Sequence, residues 1–164
     1  MAEMRRKFLL IPFFFSLSLF VFSETGLGGA FSYNVSTHPV SSASFTARSD
    51  DSPWCIFFNA GIEKKFVTAF LDNWFINERI SEHAEYYVLW GLSFGAEFDD
   101  DEDILAAGSR LGAGLDFFFF DRKIEVFAQT VFEPYYGARK TEASWKPFIR
   151  LVNFPCSAGL RLWF

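Results

Sequence analysis

Apolar residues occupy every second position over most of the chain after residue 25. In 85–98 the even positions are all apolar, whereas the odd positions are small, polar or mixed. Alternate residues of a β-strand point to opposite faces, so this segment predicts a strand with one wholly apolar face. The same alternation predicts further strands at 27–35, 42–48, 54–62, 107–119, 124–133 and 152–164.

Residues 66–76 fit two patterns. As a helix, Phe66, Phe70 and Trp74 would stack at four-residue spacing. We favour a strand because the neighbouring strands need a partner there, which gives eight strands in residues 24–164. The residues expected to form turns are His38-Pro39, Asp50–Pro53, Glu63–Lys65, Asn77–Glu82, Asp99–Asp103, Asp121–Lys123 and Gly137–Trp145.

Eight such strands predict an all-β, antiparallel up-and-down barrel, and two kinds of barrel compete. A soluble lipocalin-like barrel turns its apolar face inward around a ligand, whereas a transmembrane barrel turns it outward against lipid. Three features favour lipid: glycine lies beside ionisable residues on the second face, the apolar rows carry no charge, and aromatic residues cluster near strand ends. In water, the apolar rows would also expose more apolar surface than soluble monomers tolerate.

The first 23 residues have the order of a cleaved secretory signal. Basic residues at Arg5–Lys7 precede the apolar run Phe8–Phe22, and Val21-Phe22-Ser23 places small or modest side chains just before Glu24. The run is shorter than the roughly 20 residues that a membrane-spanning helix needs. We therefore expect a signal peptide over 1–23 and one barrel domain over 24–164, in the bacterial outer membrane.

Charge and composition exclude several classes of function. The whole chain has 15 basic and 20 acidic residues, and removing 1–23 takes away three bases and one acid, which leaves 12 and 19. Such an acidic chain lacks the basic surface of a nucleic-acid-binding protein. Two His and two Cys leave no local metal-binding motif. We expect no cofactor, no metal and no catalytic residues.

The last strand ends like the strands that barrel-insertion machinery recognises. Its pattern is a polar residue, a glycine, an apolar residue and a terminal aromatic, at Ser157, Gly159, Leu162 and Phe164. An apolar strand that ends in an aromatic residue can pair by its edge with another barrel. We interpret these four residues as an assembly signal.

Residues 65–164 resemble an uncharacterised spirochaetal family of small outer-membrane β-barrels. The resemblance rests on the segments Leu71–Asn77, Arg110-x-Gly112-x-Gly114, the Phe-rich end before Asp121-Arg122-Lys123, and the closing Gly159–Phe164. In size the chain is also similar to OmpX- and OmpW-type eight-stranded barrels. The resemblance implies an outer-membrane barrel and brings no catalytic residues with it.

The chemistry that the sequence offers is mainly charge on the inward face. An eight-stranded barrel has an interior just wide enough to be filled by side chains, so we expect Arg110 and Arg161 to pair with carboxylates such as Glu125. The acidic run Asp99, Asp100, Asp101, Glu102 and Asp103 could form a weak cation site, although a solvated loop is favoured. The charged residues expected to face the lumen are Asp72, Glu97, Arg110, Asp116, Glu125, Glu133 and Arg161.

We therefore predict a small outer-membrane barrel that is not an enzyme. Its expected role is structural, or interaction through surface-exposed loops with host or surface ligands. The alternative is a narrow OmpW-like channel for small apolar solutes, lined by Leu89, Phe127 and Val131, and a second alternative is the soluble ligand-binding barrel. The expected partners are outer-membrane lipid and the insertion machinery, with the protein a monomer.

Overall fold

The computed structural model describes residues 24–36, 39–98, 103–141 and 144–164, so the expected signal peptide lies outside the described residues. None of these residues belongs to a helix long and apolar enough to cross a membrane. They form ten strand segments: β1 (Thr25–Ser36), β2 (Val40–Ser49), β3 (Trp54–Gly61), β4 (Phe66–Ser81), β5 (Ala84–Phe98), β6 (Asp103–Phe119), β7 (Ile124–Phe132), β8 (Tyr135–Thr141), β9 (Ser144–Arg150) and β10 (Asn153–Trp163).

The ten segments make eight strands of one closed antiparallel barrel. Strands β1 to β6 pair in chain order, and β1 closes the ring by pairing with β10 along its whole length. β7 and β8 follow one another along β6, while β10 pairs with β7 and β9 pairs with β8. The predicted eight-stranded all-β barrel is therefore confirmed, with short breaks at 133–134 and 151–152.

Side chains alternate between the inside and the outside of this wall. In β10, Arg161 is fully buried, whereas Leu160 and Leu162 are both 43% exposed on the outer surface. Trp90 and Leu115 also lie outside, at 44% and 42% exposure. Because an even–odd period places successive side chains on opposite faces, the apolar rows form the outer surface and the polar rows the interior.

The two ends of the barrel are easily distinguished. At the near end Thr25 and Phe164 are hydrogen-bonded to each other through their backbones. The connections at 50–53, 82–83 and 120–123 lie at this end, and the connection at 62–65 lies at the far end with the strand ends Ser36, Phe98 and Thr141. This follows from the antiparallel order of the strands.

Two expected turns are strand instead, and one ambiguous segment is settled. Residues 66–76 belong to β4, as favoured. The expected turn Asn77–Glu82 is wrong, because β4 continues to Ser81 through two register shifts and turns only at 82–83. The expected loop Gly137–Trp145 is also wrong, since β8 and β9 pair there as a hairpin. Strands that project beyond the apolar wall are polar on both faces, which makes their sequence resemble a loop.

Candidate functional site in the barrel interior

Arg161 is the centre of a buried polar cluster in the near half of the barrel. The register places it directly opposite Glu125 on β7, and the two side chains form an ion pair in which both are completely buried. Its Nε donates to Thr46 Oγ1 at 3.1 Å, and its Nη2 lies 3.3 Å from Cys55 Sγ. Trp163 Nε1 donates to the second Glu125 oxygen at 2.8 Å. The charges are thus neutralised and hydrogen-bonded, as burial requires.

Arg110 forms a second cluster nearer the middle of the barrel. Its Nε and Nη2 donate to the two oxygens of Asp72 at 2.8 and 3.2 Å, which is a bidentate pair. Its Nη1 donates to Glu133 Oε2 at 2.6 Å. The guanidinium carbon also lies 3.8 Å from the centre of the Phe70 ring. Bidentate pairing and ring stacking are the two contacts that arginine makes better than lysine.

Aromatic side chains fill the space between the two clusters. The rings of Trp74 and Tyr87 are stacked, with centroids 3.5 Å apart and planes only 4° from parallel. Arg48 lies over the Trp74 ring at 3.9 Å and is 3.6 Å from the buried carboxylate of Asp116. The wholly apolar members of the same core cluster are Phe57, Phe70, Leu89, Phe127 and Val131.

Glycines explain how interior side chains reach partners two strands away. Gly91 on β5 lies in register between Asp72 on β4 and Arg110 on β6, and a Cβ there would overlap the Asp72 carboxylate. Gly28 on β1 separates Thr46 and Arg161 in the same way. Because the glycine on the middle strand has no side chain, the side chains of the two strands beside it can meet across the gap. Four pairs of interacting side chains in this interior are bridged in this way: Asp72–Gly91–Arg110, Thr46–Gly28–Arg161, Arg48–Gly26–Trp163 and Tyr87–Gly114–Gln129.

Replacing Gly114 with Ala is expected to destabilise the barrel by about 1–3 kcal/mol, the usual cost of overpacking. A Cβ at this position would overlap the Tyr87 ring, whose hydroxyl donates to Gln129 Oε1 at 3.0 Å. The ring would have to leave either this hydrogen bond or its stack on Trp74. The free energy of unfolding in urea, measured on protein refolded in detergent, checks the prediction.

Gly29→Ala is the matched control, since a Cβ there faces outward and meets only the Ser44 carbonyl at 3.5 Å. We expect it to leave the urea midpoint almost unchanged. If both substitutions lowered stability equally, the loss would come from replacing a glycine in a strand and not from the overlap with the Tyr87 ring.

The remaining residues singled out in the sequence lie apart from these clusters. Glu97 is at the far end, partly exposed, with its carboxylate 3.5 Å from Lys64 Nζ. Of the acidic run, Asp99–Glu102 lie outside the described residues, and Asp103 begins β6. No group of His, Cys, Asp or Glu side chains within the described ranges is arranged to hold a metal ion. The weak cation site stays a prediction.

The four residues interpreted as an assembly signal divide between the two faces of β10. Ser157 is inside, with its hydroxyl 2.7 Å from that of Ser32, and Gly159 packs inside against the Phe127 ring. Leu162 and Phe164 are on the outer surface, at 43% and 72% exposure. Both edges of β10 are occupied, by β1 and by β7. In the closed barrel only the two outward side chains are accessible.

Sequence reasoning missed several members of the interior clusters. Arg48, Thr46, Trp74, Tyr87 and Gln129 all occupy inward positions of predicted strands, so the alternation could have placed them inside. Their partners could not be found in this way, because each partner lies on a different strand, adjacent for the Trp74–Tyr87 stack and further around the barrel for the others.

Comparison with known proteins identifies the fold. No family model and no curated protein sequence matches the chain. Among solved structures, Neisserial surface protein A (NspA) is similar, with a TM-score of 0.50 and 14% sequence identity over 86% of this chain and 96% of that one. The chain shares the eight-stranded barrel fold of that protein. At this identity the likeness to NspA shows the architecture alone.

Proposed function

We propose that this chain is a small integral outer-membrane barrel that acts as a structural or surface-interaction protein and is not an enzyme. The observation that carries the proposal is the inverted polarity of the wall. Charged side chains such as Arg161 and Asp72 are fully buried, while large apolar side chains cover the outside. A soluble lipocalin-like barrel has the opposite arrangement, so the geometry favours hydrocarbon as the outer solvent.

The outer surface is continuous enough to suit a bilayer. Outward positions in 86–98, 105–119 and 154–164 carry no charged residue. Soluble monomers rarely expose apolar patches above a few hundred Å². The large apolar side chains of the outer wall that are at least 38% exposed include Phe31, Phe45, Phe58, Leu71, Trp90, Leu92, Phe94, Leu111, Leu115, Val126, Phe132, Leu160 and Leu162.

The packed interior favours a structural role over the channel alternative. Leu89, Phe127 and Val131, which were expected to line an apolar path, are at most 1% exposed and pack against the buried aromatic rings. The salt-bridged Arg110 and Arg161 occupy the same interior. Because side chains fill this part of the interior, we place the functional surface of the barrel at its far end.

In this proposal the near end faces the periplasm and the far end faces outward. The far-end connections then form the surface loops that contact host or surface ligands. Residues 1–23 direct export, and Leu162 and Phe164 take part in recognition by the insertion machinery before β10 is enclosed by both neighbours. The predicted kinship with the spirochaetal barrels and the monomeric state stay predictions.

Cell fractionation with heat-dependent gel mobility tests the proposal. We expect the protein in the outer-membrane fraction, soluble only with detergent, and migrating differently before and after boiling because an intact barrel resists unfolding in detergent. Vesicles containing the refolded protein should leak ions no faster than empty vesicles. A freely soluble protein would refute the membrane assignment, and a leak abolished by enlarging Gly112 would establish the channel instead.

A further inference from the structure

The far half of the barrel contains a polar cavity above the buried ion pairs. Its volume is about 290 Å³, and the side chains around it come from the far ends of all eight barrel strands. Glu133, which pairs with Arg110, lies at its floor. Lys64 and Glu97, both partly exposed, lie at its mouth. The cavity is thus closed below by the charged cluster and accessible from the far end.

The wall of this cavity has buried acceptors that lack a hydrogen-bond donor. Asn59 is only 7% exposed, and its amide donates to Ser42 Oγ at 3.4 Å while its Oδ1 has no partner. Asn34 donates to Asn153 Oδ1 at 2.6 Å, and its own Oδ1 is likewise buried and without a partner. Neither oxygen is satisfied within the protein, and both asparagine side chains line the cavity.

Aromatic and charged side chains share the wall with these amides. Phe66, Phe70 and Tyr135 line the cavity, and Arg150 lies 5.3 Å from the centre of the Tyr135 ring. Planar amides, carboxylates and guanidinium groups bind neighbouring hydroxyls in pairs, and an aromatic face packs against the C–H face of a sugar ring. The combination of hydroxyl-binding groups with apolar ring surface is that of a carbohydrate site.

We propose that this cavity binds a single sugar residue. Its volume lies just below the usual 300–1,000 Å³ of pockets for drug-sized ligands, which suits one ring and not an extended chain. The asparagine side chains that line the cavity, Asn34 and Asn59, are the expected hydrogen-bonding partners of the sugar hydroxyls. The site adds a ligand class to the proposed surface role, and it depends on the barrel interior and not on the membrane location.

Ligand-observed NMR tests the proposal on the folded protein in a detergent without a sugar headgroup. The probes are methyl glucoside, N-acetylglucosamine and glucuronate, with inorganic phosphate as the probe for simple anion binding. At least one sugar is expected to bind, and Asn59→Leu to weaken it about tenfold, since one buried hydrogen bond is lost. Arg150→Gln is a second cavity variant that should also weaken binding.

Lys146→Gln is the matched control, because Lys146 is exposed on the same hairpin as Arg150 and does not line the cavity. It should bind the sugar as the unsubstituted protein does, and heat-dependent gel mobility verifies that every variant is folded. If a disaccharide binds as tightly as the monosaccharide, the ligand is the terminal sugar of a glycan. If only the monosaccharide binds, the ligand is a free sugar. The proposal is overturned if no sugar binds, if phosphate competes fully with the sugar, or if both cavity variants bind normally. These outcomes are independent of fractionation, so the membrane assignment can fail separately.

Discussion

Replacing Arg161 with Met is expected to lower the free energy of unfolding by about 3–5 kcal/mol, the range for removing one partner of a buried ion pair. Glu125 would remain at 0% exposure with Trp163 Nε1 as its remaining donor. Thr46 Oγ1 and the face of the Phe127 ring, 4.0 Å from the guanidinium carbon, would also lose their contact with Arg161. Urea unfolding of protein refolded into phospholipid vesicles measures the loss.

A double-mutant cycle separates the ion pair from the other contacts of Arg161. Adding Glu125→Gln to Arg161→Met removes the stranded charge while keeping an acceptor for Trp163, so we expect it to restore at least half of the lost stability. If the double variant is as unstable as the sum of the two single ones, the pair contributes through packing and the electrostatic account is wrong.

Arg79→Met is the matched control, because Arg79 is 62% exposed and its ion pair with Glu85 is long, at 3.7 Å. Glu85 keeps a second partner in Arg122, at 2.8 Å. Because the Arg79 side chain is exposed and the buried Glu85 keeps Arg122, losing this pair should change stability by less than about 1 kcal/mol.

Replacing Leu111 with Arg is expected to destabilise the barrel in phospholipid vesicles by about 2–4 kcal/mol, the cost of arginine on the lipid face at the bilayer midplane. Leu111 lies at the middle of β6 and is 56% exposed on the outer surface. If water bathed that surface, an exposed Leu-to-Arg change would have almost no effect. The experiment thus measures directly which solvent covers the outer wall.

Phe119→Arg provides the depth control within the same strand. Phe119 ends β6 at the near end and is 48% exposed. Near the bilayer interface the cost of arginine falls to about 0–1 kcal/mol, so Phe119→Arg should be much milder than Leu111→Arg. Equal stability losses at the two positions would contradict a bilayer that is centred on the middle of the wall.

The sequence predicted the strands better than the connections. Strand positions and faces follow from alternation, which is a local property that each segment carries in its own residues. Asn77–Glu82 and Gly137–Trp145 were misinterpreted because alternation disappears once a strand leaves the apolar wall and has water on both sides. The pairing register that keeps those residues in strands is supplied by β5 and β8–β9, beyond the reach of a local pattern.

The inward glycines show where the sequence stops being sufficient. Gly91 and Gly114 were visible beside charged residues on the polar face, yet their purpose depends on which side chains flank them on the two adjoining strands. Asp72 and Arg110 are 38 residues apart and meet only across Gly91. If the pairing register shifted by two residues, every side chain would stay on the same face of the wall, but Asp72 and Arg110 would no longer meet.

The sequence by itself determined that this chain has eight strands, each with one apolar and one polar face, because side-chain direction is fixed residue by residue along a strand. Only the tertiary structure decided which charges neutralise one another. Arg161 reaches Thr46, 115 positions away, because β10 and β1 close the ring and Gly28 leaves the gap between them. Such contacts depend on the closed barrel and on its narrow interior, and no single strand contains that information.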